Sequence, residues 1–265
     1  MGGEGVVSAS TVIVHRDAQM LARAAAARLV TAVVDAQAAR GSASVVLTGG
    51  SVGIATLREL AASPARDAID WSALDLWWGD ERFLPAGDAE RNETQAREAL
   101  LDAVPLDPTR VHPMAPSDGE FGDDPEAAAE AYAVQLAIAA QPEDHAEVPT
   151  FDVTLLGVGP DGHINSLFPG MPALYDNRPV VGVRGSPKPP PVRISLTLPA
   201  IARSQEVWLL VAGEEKAGVV RLTLGGAGPV QIPAAGAHGL RRTLWLLDRA
   251  AASQVPTALT RLASP

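Results

Sequence analysis

The residues of this 265-residue chain best suited to chemistry are Asp161 and His163, a carboxylate and an imidazole two positions apart in Gly157-Val158-Gly159-Pro160-Asp161-Gly162-His163. An imidazole titrates near neutral pH and a neighbouring carboxylate accepts its ring proton, so the pair suits general-base catalysis. A second stretch, Thr48-Gly49-Gly50-Ser51-Val52-Gly53, leads from an apolar run into a helical one. Such a turn aims backbone N–H groups and the positive end of a helix dipole at one spot, which suits a phosphate. It lacks the Lys-Ser/Thr ending of a P-loop. Asp80, Glu81 and Arg82 form a third charged turn, and Arg193 and Lys216 are isolated cations near the starts of regular elements. Each has a plain structural reading beside the chemical one: glycines for turn geometry, a surface charge cluster, a solvated lysine, a histidine satisfied by local hydrogen bonds.

Residues 157–162 also match G-x-G-x-x-G literally. The dinucleotide fingerprint opens a helix within that motif and places an acid about 20 residues on. Pro160 and Asp161 stand where the helix would begin, and the region near Gly182 offers no acid. The turn is therefore read as a catalytic loop rather than a dinucleotide site.

These loops need elements to hold them. Phe151 to Leu156 is an apolar run that reads as a buried parallel strand, and the glycines and Pro160 after it force a sharp turn at its carboxyl end. Thr11 to His15 reads as a strand and Asp17 as the cap of a helix ended by Gly41. Ser44 to Leu47 and Leu74 to Trp78 are further strands, each running into one of the charged or glycine-rich turns. Asn92 is expected to cap a helix reaching about Asp102. Residues 104–123 and 141–149 read as loops around a helix from Pro125 to about Ala140; His112 and His145, in those loops, are read as surface or structural residues. The prolines at 187 and 189–191 imply an extended crossing segment. Val192 to Thr197, Glu206 to Ala212 and Thr243 to Asp248 complete the strands, the last followed by a short helix. Lys216 falls in the first turn of a helix, against dipole preference, whereas His238, in a glycine-rich loop, is read as incidental.

Six or seven strands alternating with helices predict an α/β fold with one mostly parallel sheet, and open sheets of that kind bind ligands at the carboxyl ends of their strands. Residues 1–10 read as a flexible tail and 11–265 as one domain. The chain has no cysteine, which excludes disulfides and thiol chemistry and fits a reducing cytoplasm. A net charge of −10 argues against nucleic acid and anionic membranes as partners. No apolar run reaches the roughly 20 residues of a membrane span, and no metal-ligand spacing is present.

At these same residues the sequence resembles the 6-phosphogluconolactonases of the glucosamine-6-phosphate isomerase/6-phosphogluconolactonase superfamily. The resemblance runs through ordered blocks: Leu47-Thr48-Gly49-Gly50-Ser51, Trp78-Gly79-Asp80-Glu81-Arg82 with Asn92 downstream, the Gly157 to Gly170 loop, Arg193 to Thr197, and Gly213-Glu214-Glu215-Lys216-Ala217. It implies a Rossmann-like three-layer α/β/α sandwich and hydrolysis of 6-phospho-D-glucono-1,5-lactone in the oxidative pentose phosphate pathway, without metal or organic cofactor. It also implies His163 and Asp161 as catalytic residues and Gly49, Gly50, Ser51, Asp80, Arg82, Asn92, Arg193 and Lys216 as substrate or phosphate contacts. The expected partner is a phosphorylated sugar lactone, taken by a monomer. Two departures stand out: Val52-Gly53 where the family has Thr-Pro, and Asn165 where it usually has alanine. A deaminase of the same superfamily would need a glutamate after the histidine loop, and Asn165-Ser166-Leu167-Phe168-Pro169 has no acid. A sugar-phosphate-sensing module of a transcription regulator would need a DNA-binding segment, for which the ten residues before the first strand are too few.

Overall fold

The computed structural model describes residues 10–141 and 146–263. Most of the expected tail and His145 lie outside the described residues. In chain order the elements are β1 (Thr11–His15), α1 (Ala18–Arg40), β2 (Ala43–Leu47), α2 (Gly50–Ala62), β3 (Leu74–Trp78), β4 (Asp80–Arg82), α3 (Asn92–Ala99), β5 (Val111–His112), α4 (Pro125–Ala139), β6 (Val153–Gly157), β7 (Val180–Val183), β8 (Arg193–Leu196), α5 (Leu198–Ile201), β9 (Glu206–Val211), α6 (Ala217–Leu224), β10 (Arg242–Asp248) and β11 (Thr260–Leu262).

Eight strands form one sheet in the order β11-β1-β10-β9-β6-β2-β3-β5, every pair parallel. Side chains of a strand alternate between faces, and here both faces are covered. Trp77 packs into one apolar cluster with Tyr132, Phe151 and Leu209, while its neighbour Trp78 packs into the other with Leu21, Leu57 and Trp208. That two-sided burial explains why the strands read as continuous apolar runs. Helix α1 forms as its sequence dictates: Asp17 accepts from the N–H of Met20 at 2.8 Å, and Gly41 ends it at φ 81°. Its buried Leu21, Ala25, Leu29 and Val33 recur every fourth residue and face the sheet.

The small strands depart from the sequence reading. β4, β8 and β7 form a separate antiparallel sheet, with Asp80 opposite Ser195 and Val183 opposite Arg193. Residues 187–191 are therefore not an extended crossing. They close the β7–β8 hairpin, with the N–H of Ser186 donating to the carbonyl of Pro191 at 2.9 Å. The residues after Asp248 form turns, then a short 3₁₀ helix at Thr257–Leu259 in place of an α-helix, and then the edge strand β11, which the sequence reading lacked. Three residues of mixed polarity give no periodicity from which β11 could be read.

Candidate functional site

Strand β6 is buried along four of its five positions and delivers the chain to the carboxyl edge of the sheet. There the loop folds onto itself: the N–H of Gly159 donates to the carbonyl of His163, and the N–H of Gly162 donates to the carbonyl of Gly159, both at 2.9 Å. Gly162 sits at φ 81°, a left-handed conformation in which a side chain is strained. Gly159 is required by close approach, since a Cβ there would lie 2.1 Å from the ring of His163. The imidazole is thus held between the backbone of Gly159 and the ring of Phe168, 4.4 Å away centroid to centroid. Its Nδ1 is 2.5 Å from Oδ1 of Asp161.

Burial opposes ionisation of Asp161, but the hydrogen bond and charge of His163 and the nearby charge of Lys188 outweigh it and hold its carboxyl down to about 2. An ionised carboxylate can only accept, so Nδ1 carries the proton and the lone pair lies on Nε2. That tautomer makes Nε2 the base.

The pair opens on a cavity of about 320 Å³. Thr48 to Gly53 line one side, where α2 begins at Gly50 with no side chain capping its free N–H groups. Asn92 lies directly beneath the turn, for a Cβ on Gly49 would fall 2.0 Å from its amide oxygen. Gly53 is equally constrained, with Thr48 filling the space a Cβ would take, so the departure at this position follows from a backbone that runs too close.

Asp80 ties the loops together from below. Its buried carboxylate accepts from Oγ of Ser166 at 2.7 Å and from Nδ2 of Asn92 at 3.3 Å, and stands 3.9 Å from Nη1 of Arg193. Asn92 does not cap α3 as expected; it is the first helical residue, and Arg91 is the flanking one. The capping acceptor is Glu81, whose carboxylate receives the N–H groups of Asn92 at 2.6 Å and Glu93 at 2.9 Å. Freed from capping, Asn92 turns its amide to the carbonyl of Asp80 at 2.7 Å. Burial pushes the Glu81 carboxyl up to about 7, against the pull of Arg91 and its three backbone donors, Arg82, Asn92 and Glu93.

The cations surround the cavity unequally. Arg82 donates from Nη1 to the carbonyl of Glu90. Arg193, almost fully buried, donates from Nε to the carbonyl of Pro190 and from Nη2 to those of Lys188 and Pro189, at 3.0–3.1 Å. Lys216 follows β9 at the cavity rim, where burial lowers its pKa and the charges of Glu215 and Asp248 oppose that shift. Lys188 also lines the cavity and went unremarked in the sequence. A single lysine among Pro187, Pro189, Pro190 and Pro191 was the signal, a flexible charge on a stiff stretch. Asn165, at φ 48°, is the other residue that sequence reasoning left without a place; it packs against Gly79.

Of the residues expected to act in catalysis or substrate binding, all but Asp161 line this one cavity, and Asp161 stands behind His163; Glu81 lies beneath it. The other described histidines are elsewhere: His15 is buried at the end of β1, His112 is stacked on Trp77, and His238 lies with Nδ1 2.9 Å from the carbonyl of Gly236. Among the described residues no group of three or more His, Asp or Glu could hold a metal ion, and no helix is long and apolar enough to cross a membrane.

Comparison with known proteins gives a consistent picture. The family model described as glucosamine-6-phosphate isomerases/6-phosphogluconolactonase matches residues 16–245. The 6-phosphogluconolactonase of Streptomyces coelicolor is 68% identical over 249 residues, 94% of this chain and 95% of that protein. That of Mycobacterium tuberculosis is 56% identical over 249 residues, 94% and 99% of the two chains. Among solved structures, 6-phosphogluconolactonase from Trypanosoma brucei superposes with a TM-score of 0.81 at 30% identity, over 94% of this chain and 100% of that one.

Proposed function

The chain belongs to the glucosamine-6-phosphate isomerase/6-phosphogluconolactonase family, and from that premise we propose that it hydrolyses 6-phospho-D-glucono-1,5-lactone to 6-phospho-D-gluconate, in the oxidative pentose phosphate pathway, with His163 as the base. The observation that carries the reading is the 2.5 Å contact of His163 Nδ1 with Asp161, beside a cavity bounded by the uncapped start of α2. Nε2 of His163 takes a proton from water as the oxygen attacks the lactone carbonyl carbon. The carbonyl π pair moves to its oxygen, giving a tetrahedral oxyanion. When that pair returns, the bond to the ring oxygen breaks and the imidazolium delivers its proton to the leaving oxygen. Asp161 holds the ring in the productive tautomer and supports the transient positive charge.

The phosphate rests on the Gly49-Gly50-Ser51 turn, where N–H donors and the helix dipole favour a dianion. Lys216 lines the same cavity as that turn. Arg82 and Arg193 add positive charge to the wall, and Asp80 and Asn92 form the surface on which the sugar lies. The loop after His163 provides no carboxylate for sugar ring opening, which favours the lactonase reading over the deaminase.

The test is proton release from freshly generated 6-phosphoglucono-δ-lactone by wild type and His163→Ala, with glucono-δ-lactone as the unphosphorylated control. Fast release by wild type, preference for the phosphorylated lactone and loss of about 10²- to 10⁴-fold in the variant are expected. A wild-type rate equal to spontaneous hydrolysis would sink the reading.

A further inference from the structure

Lys188 stands apart from the other three cations. Its Nζ lies 3.8 Å from Oδ1 of Asp161, the same oxygen that binds Nδ1 of His163 at 2.5 Å. At 3.8 Å the ammonium feels the charge of Asp161 without being hydrogen-bonded to it, so that contact consumes none of its three donors. Its backbone, by contrast, is fixed. The Lys188 carbonyl accepts from Oγ of Ser186 at 2.9 Å and from Nη2 of Arg193 at 3.0 Å, and prolines stand on both sides. The result is a free cationic tip on a rigid base, about half exposed and lining the cavity.

The phosphate end of the cavity is already provided for by the start of α2 and by Lys216. Lys188 stands on the side of the cavity that carries the Asp161–His163 pair, with Nζ 3.8 Å from Oδ1 of Asp161, and its charge also lowers the pKa of Lys216. Two cations that repel across one cavity match a substrate with two sites of negative charge. One charge, the phosphate, is permanent. The other appears only when water adds to the lactone carbonyl, next to the base that activates it. Resting on the lactonase reading, we propose that Lys188 donates a hydrogen bond to the carbonyl oxygen of the lactone as that oxygen becomes the tetrahedral oxyanion. A lysine suits the task because the ammonium donates without losing its proton as the oxyanion forms and collapses.

The experiment compares wild type, Lys188→Met and Lys188→Arg on 6-phosphoglucono-δ-lactone, reading kcat and KM separately, together with the Kd of inorganic phosphate by calorimetry. Removing a donor that acts only in the transition state lowers kcat by about 10²-fold, and KM and the phosphate Kd should stay within about threefold. Lys188→Arg, which keeps a charged donor on a long side chain, should recover part of the loss. If Lys188→Met keeps kcat within threefold, or loses activity through KM and phosphate affinity, Lys188 is not the oxyanion donor and the second outcome makes it a phosphate clamp. An inactive wild type would instead defeat the lactonase reading itself. Because the side chain is half exposed and its backbone contacts survive substitution, the variants should fold, and their thermal midpoints check this.

Discussion

Among the described residues two Asp–His pairs form, one at each edge of the parallel sheet. At the carboxyl edge, Asp161 and His163 meet at 2.5 Å in a loop that follows a strand. At the amino side, Asp75 of β3 meets His112 of β5 at 3.2 Å, and Asp75 also receives Nη2 of Arg110 at 2.6 Å. The side chains are the same in kind, and their surroundings decide what each pair does. The ring of His112 lies flat on Trp77 with centroids 3.8 Å apart, and its backbone carbonyl accepts from the hydroxyl of Tyr132 at 3.1 Å. It joins the edge strand to the core. His163 instead has one nitrogen fixed by Asp161 and the other free for an open cavity ringed by cations. A carboxylate beside an imidazole is thus no site by itself; a loop that presents one nitrogen and an anion cradle beside it make one.

Exchanging the two histidines for alanine gives the largest expected contrast. His163→Ala should lower lactone hydrolysis by about 10²- to 10⁴-fold with little change in thermal midpoint. His112→Ala should leave kcat within twofold and cost about 1 kcal/mol for the lost ring stacking. Equal losses of kcat in the two variants would erase the distinction.

A second contrast lies beneath the carboxyl edge. Asp75 is partly exposed, whereas Glu81 is fully buried, and burial raises its carboxyl from its ordinary value to about 7. A group protonated more readily when folded contributes stability that is complete below its unfolded pKa, near 4.5, and is lost as pH rises through 7. The stability of wild type relative to Glu81→Gln should therefore fall between those limits, by up to about 3 kcal/mol. Denaturant titrations at several pH values measure it. A difference that stays flat from pH 4 to 8 would mean that Arg91 and the three N–H donors cancel the cost of burying the charge.

The third test concerns the loop itself. Gly159→Ala places a Cβ where the imidazole now lies, 2.1 Å from its ring and 2.6 Å from Asp161. Displacing a base by about 1 Å costs up to about 10²-fold, so kcat should fall by roughly 10- to 10²-fold while the apolar core is untouched. Full activity in this variant would show that the ring need not rest on Gly159.

What the sequence disclosed follows from how local each feature is. Asp161 and His163 are two residues apart, and the glycines that shape their loop are visible as glycines. The parallel sheet was equally legible, because strands buried on both faces write their pattern in consecutive residues. Features built by distant pairing were not. Lys188 reaches the cavity only because β7 and β8 pair as a hairpin, and Arg193 grips that hairpin from a strand that itself pairs with β4. The role of Asn92 was misread for the same reason: Glu81, eleven residues earlier, already supplies the cap. No local spacing announces either contact.

The smallest effect separates the pairs by how the catalytic carboxylate is held. The charge and hydrogen bond of His163, with the charge of Lys188, overcome the cost of burial and depress Asp161 to about 2 from an ordinary 3.8. A depressed acid contributes stability that is complete above its unfolded value and disappears as pH falls through 2. Asp161 is about a third exposed, so solvent screens much of the interaction and the contribution should stay under about 1 kcal/mol. Denaturant titrations of wild type and Asp161→Asn between pH 5 and 2 should show a small gap that closes toward the acid end. In Asp161→Asn the amide no longer selects one tautomer of the ring, so kcat should drop well beyond that loss of stability. If the gap widens on acidification, the depressed pKa is wrong; if kcat is unchanged, His163 does not depend on Asp161 for its orientation, and the two Asp–His pairs differ by less than their settings imply.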